Sequence, residues 1–388
     1  MEVYYSLTTL LMLFIELPTE IDMMLSSKIK QQYQTVLQNC EHRLCRHPER
    51  TVAERLQSLL TLAEEYPQAD IYGNGSLIND FEKQIASLIG YEDAIFLPSG
   101  TMAQVMALRI WAEQKHNNQV AFHPTSHLQL HEQNAYQQLH GLSAVLVGDP
   151  EKPVTPDDLK NINVDISALL LELPMREIGG QLPSWDELKA QSEWAHQNNV
   201  ALHLDGARVW SCEPYYQKSL SEICQLFDSV YLSFYKDLDG IAGAVLAGSK
   251  AFIEEARIWS RRCGGNLISQ FPDVLAAKQG FAKNLPLMSE YVSKTSKIAK
   301  YFNEHSNLQT IPEVPPCNLF HLVINHTTDE LMPKVIAWSE NSNIGLLPLP
   351  RALTENGSRF EITIGQNALA LTDKQWQTAI ANFADSIG

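Results

Sequence analysis

Short apolar runs alternate with amphipathic stretches through the middle of this chain. AIFL (94–97), VAF (120–122), AVLV (144–147), ALLLE (168–172), ALHL (201–204) and SVYLSF (229–234) are compact and apolar, with Gly, Pro or charge nearby. Such runs predict buried strands. Between them, residues 78–89, 102–112, 185–198 and 220–227 place apolar side chains at helical spacing. That order predicts βαβ units, and so an α/β fold built on a mostly parallel sheet flanked by helices. Residues 26–66 are helical in pattern with a break at HPE (47–49), and Thr51 with Glu54 forms a capping-box start. After about residue 284 a helix (289–305), a strand (318–324), a helix ending at 341, strands (344–347, 360–364) and a last helix (373–387) predict a smaller α/β unit. The expected division is 1–70, an N-terminal helical segment; 71–284, a large domain; and 285–388, a small C-terminal domain.

Candidate chemistry falls where the predicted strands end, the edge at which parallel sheets bind ligands. Asp205 closes one run and Lys236 follows the next. A lysine beside apolar structure is a candidate Schiff-base nucleophile, and an aspartate can keep a pyridinium nitrogen protonated, as pyridoxal phosphate requires. Taken alone, the pair reads as a surface lysine and a helix cap. The turn Ser99, Gly100 and Thr101, between a strand and a helix, predicts a phosphate cradle of free backbone N–H groups.

Composition narrows the partners. Of 388 residues, 45% are hydrophobic and 19% charged, and the net charge is −16. Acidity argues against nucleic acid or an anionic membrane surface and leaves a small molecule as the expected partner. Six scattered cysteines without a CxxC pair predict free thiols and a cytoplasmic location. His123, His127 and His131 recur every four residues as on one helix face, but no Cys or carboxylate cluster accompanies them, so no metal is expected. Residues 7–17 are apolar but short and contain Glu16, which fits neither a signal peptide nor a membrane span; residues 1–22 read as an upstream extension ahead of Met23 or Met24.

Taken in order, YGNG (72–75), LPSGTMA (97–103), HLDGAR (203–208) and the lysine about thirty residues later resemble the threonine aldolase and β-eliminating lyase family of fold-type I pyridoxal-phosphate enzymes. The resemblance implies a lyase that cleaves the Cα–Cβ bond of a β-hydroxy-α-amino acid to glycine and an aldehyde. It implies Lys236 as the cofactor lysine and His127 stacked on the cofactor ring; the base stays open, His127 being the nearest candidate and a water held by His123, His131 or Glu172 the alternative. Asp205 would sit at the ring nitrogen, Arg208 at the ring oxygen or substrate carboxylate, and Arg359 at the α-carboxylate with Arg351 as competitor. A homodimer or homotetramer is implied too, with Arg261 or Arg262 either reaching a phosphate across subunits or complementing a helix C-terminus.

The chain also departs from that family. Its S-D-T-type start is missing, Met175 stands where E-N-T-H carries histidine, Arg176 replaces a small polar residue, and Tyr235 and Asp237 flank the lysine. A thioether cannot act as a base. The rival expectations are therefore β-elimination, racemisation or transamination, and, from another class, a protein that binds cofactor or partner without turnover.

Overall fold

The computed structural model describes residues 25–354 and 357–388. The apolar segment at 7–17 and the candidate starts at Met23 and Met24 lie outside the described residues. The chain opens with α1 (Ser27–Asn39), β1 (His42–Arg43), α2 (Val52–Glu65) and α3 (Ser76–Ile89). The predicted capping box is present at α2: Thr51 Oγ1 accepts from the Glu54 N–H, and Glu54 Oε2 accepts from the Thr51 N–H.

Next come β2 (Asp93–Leu97), α4 (Gly100–Lys115), β3 (Gln119–Phe122), α5 (His127–Leu130), β4 (Ser143–Leu146), β5 (Ala168–Glu172), β6 (Ala201–Gly206), β7 (Ser229–Ser233) and β8 (Ala244–Gly248). They form a seven-stranded sheet in the order β2-β8-β7-β6-β5-β3-β4. All pairings are parallel except those of β8, which runs antiparallel to both neighbours. The six expected strands all form, 168–172 at its expected bounds and the other five shifted by one or two residues at one or both ends. β6 and β7 are buried throughout, which is why they read as unbroken apolar runs rather than alternating ones.

The C-terminal sheet has the order β12-β13-β10-β9, all antiparallel, from β9 (Leu308–Ile311), β10 (Leu319–Ile324), β12 (Ala352–Thr354) and β13 (Gly357–Thr363). A two-residue strand, β11 (Ile344–Gly345), pairs with β1 in parallel, so the N-terminal segment joins the C-terminal part. Tyr33 of α1 extends that joint by donating to the Leu347 carbonyl at 2.7 Å.

The helix Phe271–Asn284, like the short helices Ala135–Gln138, Pro156–Lys160 and Glu213–Tyr216, had no counterpart in the sequence reading. It packs on the loop that follows Lys236: Asn284 Nδ2 donates to the Leu238 carbonyl at 2.9 Å, and at Gly280 a Cβ would collide with that same carbonyl. No helix among the described residues is long and apolar enough to cross a membrane.

Candidate active site

Strand register assembles the centre of the site. Glu172 at the end of β5 lies beside Asp205 on β6, and Asp205 lies beside Tyr231 on β7. Lys236 follows three residues after β7 ends. Asp205 is 2% exposed, and its Oδ1 accepts from the Ala207 N–H at 3.1 Å. Burial, and then the Asp205 charge, raise the pKa of Glu172. Burial followed by the Arg208 guanidinium lowers that of Lys236, against the pull of Asp205 and Glu172. The lysine is thus poised towards its neutral, nucleophilic form. The Asp237 side chain faces Arg208 at 3.7 Å, and its backbone carbonyl accepts from His47 Nε2 at 2.8 Å.

The turn expected to cradle a phosphate lies two strands away at the same edge. Ser99 caps α4, its Oγ accepting from the Met102 N–H at 3.2 Å. Gly100 has no room for a side chain, since a Cβ would collide with the Tyr231 hydroxyl. Thr101 is exposed at the first turn. The free N–H groups of a sixteen-residue helix point outward here, with the positive end of its dipole. Tyr231 escaped the sequence reading, because a tyrosine in an apolar strand carries no local sign that its hydroxyl will reach a neighbouring helix.

The three histidines separate. His123 is buried, with Nδ1 on Thr125 Oγ1 at 2.7 Å and Nε2 on the Asp149 carbonyl at 2.8 Å, so it does not share a helix face with the others. His127 opens α5 with Nδ1 3.0 Å from Glu132 Oε1, and its ring centroid is 5.0 Å from that of His131. His131 Nε2 is 2.7 Å from Glu177 Oε1.

Guanidinium groups converge on Glu361 of β13. Arg351 Nη1 lies 2.5 Å and Arg176 Nε 2.7 Å from its Oε2, and Arg208 Nη2 lies 3.7 Å from its Oε1. Arg351 also pairs with Glu177. Burial opposes ionisation of Glu361, but Arg176, Arg208 and Arg351 outweigh it and hold its carboxyl below the usual range. Arg359 lies two residues along the same face of β13, opposite Val323, with its Nε buried and unpaired. Glu177, Glu132 and Glu361 were missed for one reason: each acquires its partner only through the fold. Met175 is buried and lines a small cavity with Val154 and His123, so of the two departures at 175–176 only Arg176 reaches the cluster.

Lys236, Arg208 and Asp237 open on a cavity of about 710 Å³. The N-terminal segment walls it through Cys45, Arg46 and His47, in the region where the family start was missing. Arg208 Nε, Asp237 Oδ2 and Asn318 Oδ1 line it, buried and without partners. Arg262 stacks over the Trp259 ring at 4.7 Å, whereas Arg261 lines a separate cavity beside Tyr72 and Gly265.

A parallel-sheet edge carrying a depressed lysine, a buried aspartate on the adjoining strand and an open helix start defines a fold-type I pyridoxal-phosphate enzyme. The chain belongs to the Beta-eliminating lyase family, whose family model matches residues 64–329. Members of that family depend on pyridoxal phosphate. A Listeria monocytogenes protein described as a candidate L-allo-threonine aldolase has a solved structure that superposes with a TM-score of 0.89 at 40% identity, over 92% of this chain and 99% of its own. The aldolase vrtJ of Penicillium aethiopicum is 30% identical over 66% of this chain and 68% of its own length. The alanine racemase TOXG of Cochliobolus carbonum is 29% identical over 61% and 63%.

Proposed function

We propose that this chain cleaves the Cα–Cβ bond of a β-hydroxy-α-amino acid of the threonine or allo-threonine type, releasing glycine and an aldehyde. One observation carries the reading: Lys236, Asp205 and the start of α4 come from different strands yet open on one sheet edge, beside a cluster of guanidinium groups. Relatives described as aldolases support the reaction class.

Lys236 would hold the cofactor covalently through its amine. The Ser99, Gly100 and Thr101 backbone would hold its phosphate, and the His127 ring would set its plane. Asp205 would keep a proton on its ring nitrogen, and Arg208 would reach its ring oxygen. When bound, pyridoxal phosphate supplies a conjugated electron sink for the pair left on the substrate's α-carbon. The steric fit of Gly100 against Tyr231 supports this placement, because it leaves the backbone N–H groups bare.

Arg359, with Arg208, would fix the substrate carboxylate, a fork that sets which α-carbon bond faces the cofactor plane. Arg359 Nε, buried without a hydrogen-bond partner, favours that assignment over Arg351, whose donors already meet Glu177 and Glu361. The helix Phe271–Asn284 ends where the small domain is taken to begin. Ile71, Tyr72, Leu267, Ile268 and Phe271 are exposed along linked segments, Tyr72 N–H donating to the Ile268 carbonyl, and we assign this surface to a second copy of the chain. Six free thiols support a cytoplasmic location.

The first test is a visible absorption spectrum of the protein and of Lys236→Ala, followed by assays of glycine and aldehyde from L-threonine, L-allo-threonine and phenylserine. A lysine-dependent band with glycine release supports the reading, and no band even with added cofactor overturns it. A band without glycine moves the assignment to elimination, racemisation or transamination, seen as pyruvate, inverted substrate or keto acid. The missing histidine at Met175 and the relative described as a racemase keep that second reading in view.

A further inference from the structure

Cleavage of the kind proposed needs a group to take the β-hydroxyl proton, and the buried Met175 thioether cannot serve. Of the three nearby histidines, His123 has both nitrogens bonded within the protein, and His127, tied to Glu132 through Nδ1, is the ring assigned above to the cofactor plane and so is not free to act on the substrate. His131 differs. Its Nε2 lies 2.7 Å from Glu177 Oε1, and among the described residues no hydrogen bond is made by its Nδ1. An ionised carboxylate can only accept, so Nε2 carries the hydrogen and Nδ1 keeps its lone pair. Burial opposes ionisation of Glu177, but the His131 hydrogen bond, Arg351 and Arg176 outweigh it and hold its pKa down at about 2.

The imidazole is also well placed. It is 38% exposed, adjoins the His127 ring and is linked through Glu177 to Arg351. It therefore stands between the aromatic wall of the site and the guanidinium cluster.

We propose that His131, held in its Nε2–H form by Glu177, removes the β-hydroxyl proton. This rests on the cleavage reading above. The O–H bond breaks and its proton goes to Nδ1, while the O–H pair becomes the second C–O bond of the leaving aldehyde. The Cα–Cβ pair stays with Cα, which regains a proton to give glycine, so no oxidant, reductant or further reactant is consumed. Glu177 is a positioning residue that acts through the imidazole. The charged and titratable groups facing His131 are Glu177, with Arg176 and Arg351 behind it, and His127 with Glu132 on its own stretch.

The test uses the holoenzyme and the variants His131→Asn, His131→Gly and Glu177→Gln. His131→Asn is expected to keep the visible cofactor band and the KM, lose about 10²–10⁴-fold in kcat, and lose the acid limb of its kcat/KM profile. Added imidazole should restore part of the rate in His131→Gly. Nitrogen-15 NMR of the cofactor-free protein should show the Nε2–H tautomer at His131, weakened in Glu177→Gln. Wild-type kcat with an intact acid limb in His131→Asn, or an Nδ1–H tautomer in the wild type, overturns the role of His131 and leaves the cleavage reading standing. A cofactor-loaded wild type that releases no glycine from any β-hydroxy amino acid overturns both.

Discussion

At the scale of single residues, the site depends on contacts that no local pattern announces. Gly100 is one. A methyl group there meets the Tyr231 hydroxyl, so Gly100→Ala should weaken cofactor binding by about tenfold or more, each tenfold being about 1.4 kcal/mol. Titration of the visible band measures it, and unchanged binding would remove Gly100 from the cradle. The two candidate carboxylate ligands separate in the same way. Arg359→Ala should raise KM roughly 10–100-fold, the range of about 1.5–3 kcal/mol for hydrogen bonds to charged groups. Arg351→Ala should act more on kcat and stability, through Glu177 and Glu361. Steady-state kinetics of both variants decides, and the opposite pattern would exchange their roles. Asp205, Lys236 and the Ser99–Gly100–Thr101 turn were legible because their chemistry is local: a charge at the end of an apolar run, a small-residue turn before a helix. Glu361 was not, since a glutamate in a strand reads as a solvent-facing position until three guanidinium groups from distant segments meet it.

Among the elements, the segment after β5 and strand β13 are held together by Glu177 and Glu361 with Arg176 and Arg351. That joint has a pH dependence with a definite sign. The folded-state pKa of Glu177, about 2, lies below its ordinary 4.5, so the unfolded chain takes up the proton first. The stabilisation is whole above about 4.5 and disappears as pH falls through about 2. Its full size is on the order of 3 kcal/mol at about 1.4 kcal/mol for each pH unit. Urea unfolding of wild type and Glu177→Gln across pH 5 to 2 should show the gap between them closing as pH falls; a gap independent of pH would mean the ion pairs do not stabilise the joint. Most element types were readable from period, whereas β8 was not expected as a strand at all: AVLAG is short and made largely of small residues, and its antiparallel direction leaves no mark on hydropathy. The helix Phe271–Asn284 was hidden because its buried Val, Leu, Ala and Gly positions cover much of its circumference, which blurs the helical stripe.

For the molecule as a whole, the exposed apolar surface at Ile71, Tyr72, Leu267, Ile268 and Phe271 adjoins the cavity that Arg261 enters. A charge placed there, as in Ile268→Asp, should shift the protein to a monomer in light scattering, and activity should fall with it. A variant that stays oligomeric would place the contact elsewhere. The large sheet could be outlined from sequence because each strand lies near the helix that follows it. The relation of the first forty described residues to the lysine was beyond reach, because it depends on chain segments about 190 positions apart. His47 bonds the Asp237 carbonyl, while Arg50 and Arg55 clamp Asp239 at 2.7 and 3.1 Å.

That clamp makes the reactivity of Lys236 a property of the finished chain. Its neighbour Arg208 is held by Glu361, close to the C-terminal end, and its own loop is tied down by residues close to the beginning. Without those contacts the lysine loses the burial and the Arg208 charge that lower its pKa. A selective nucleophile therefore exists only where the segments carrying Arg50, Arg55 and Glu361 have closed around this loop, so the amine and its surroundings mature together.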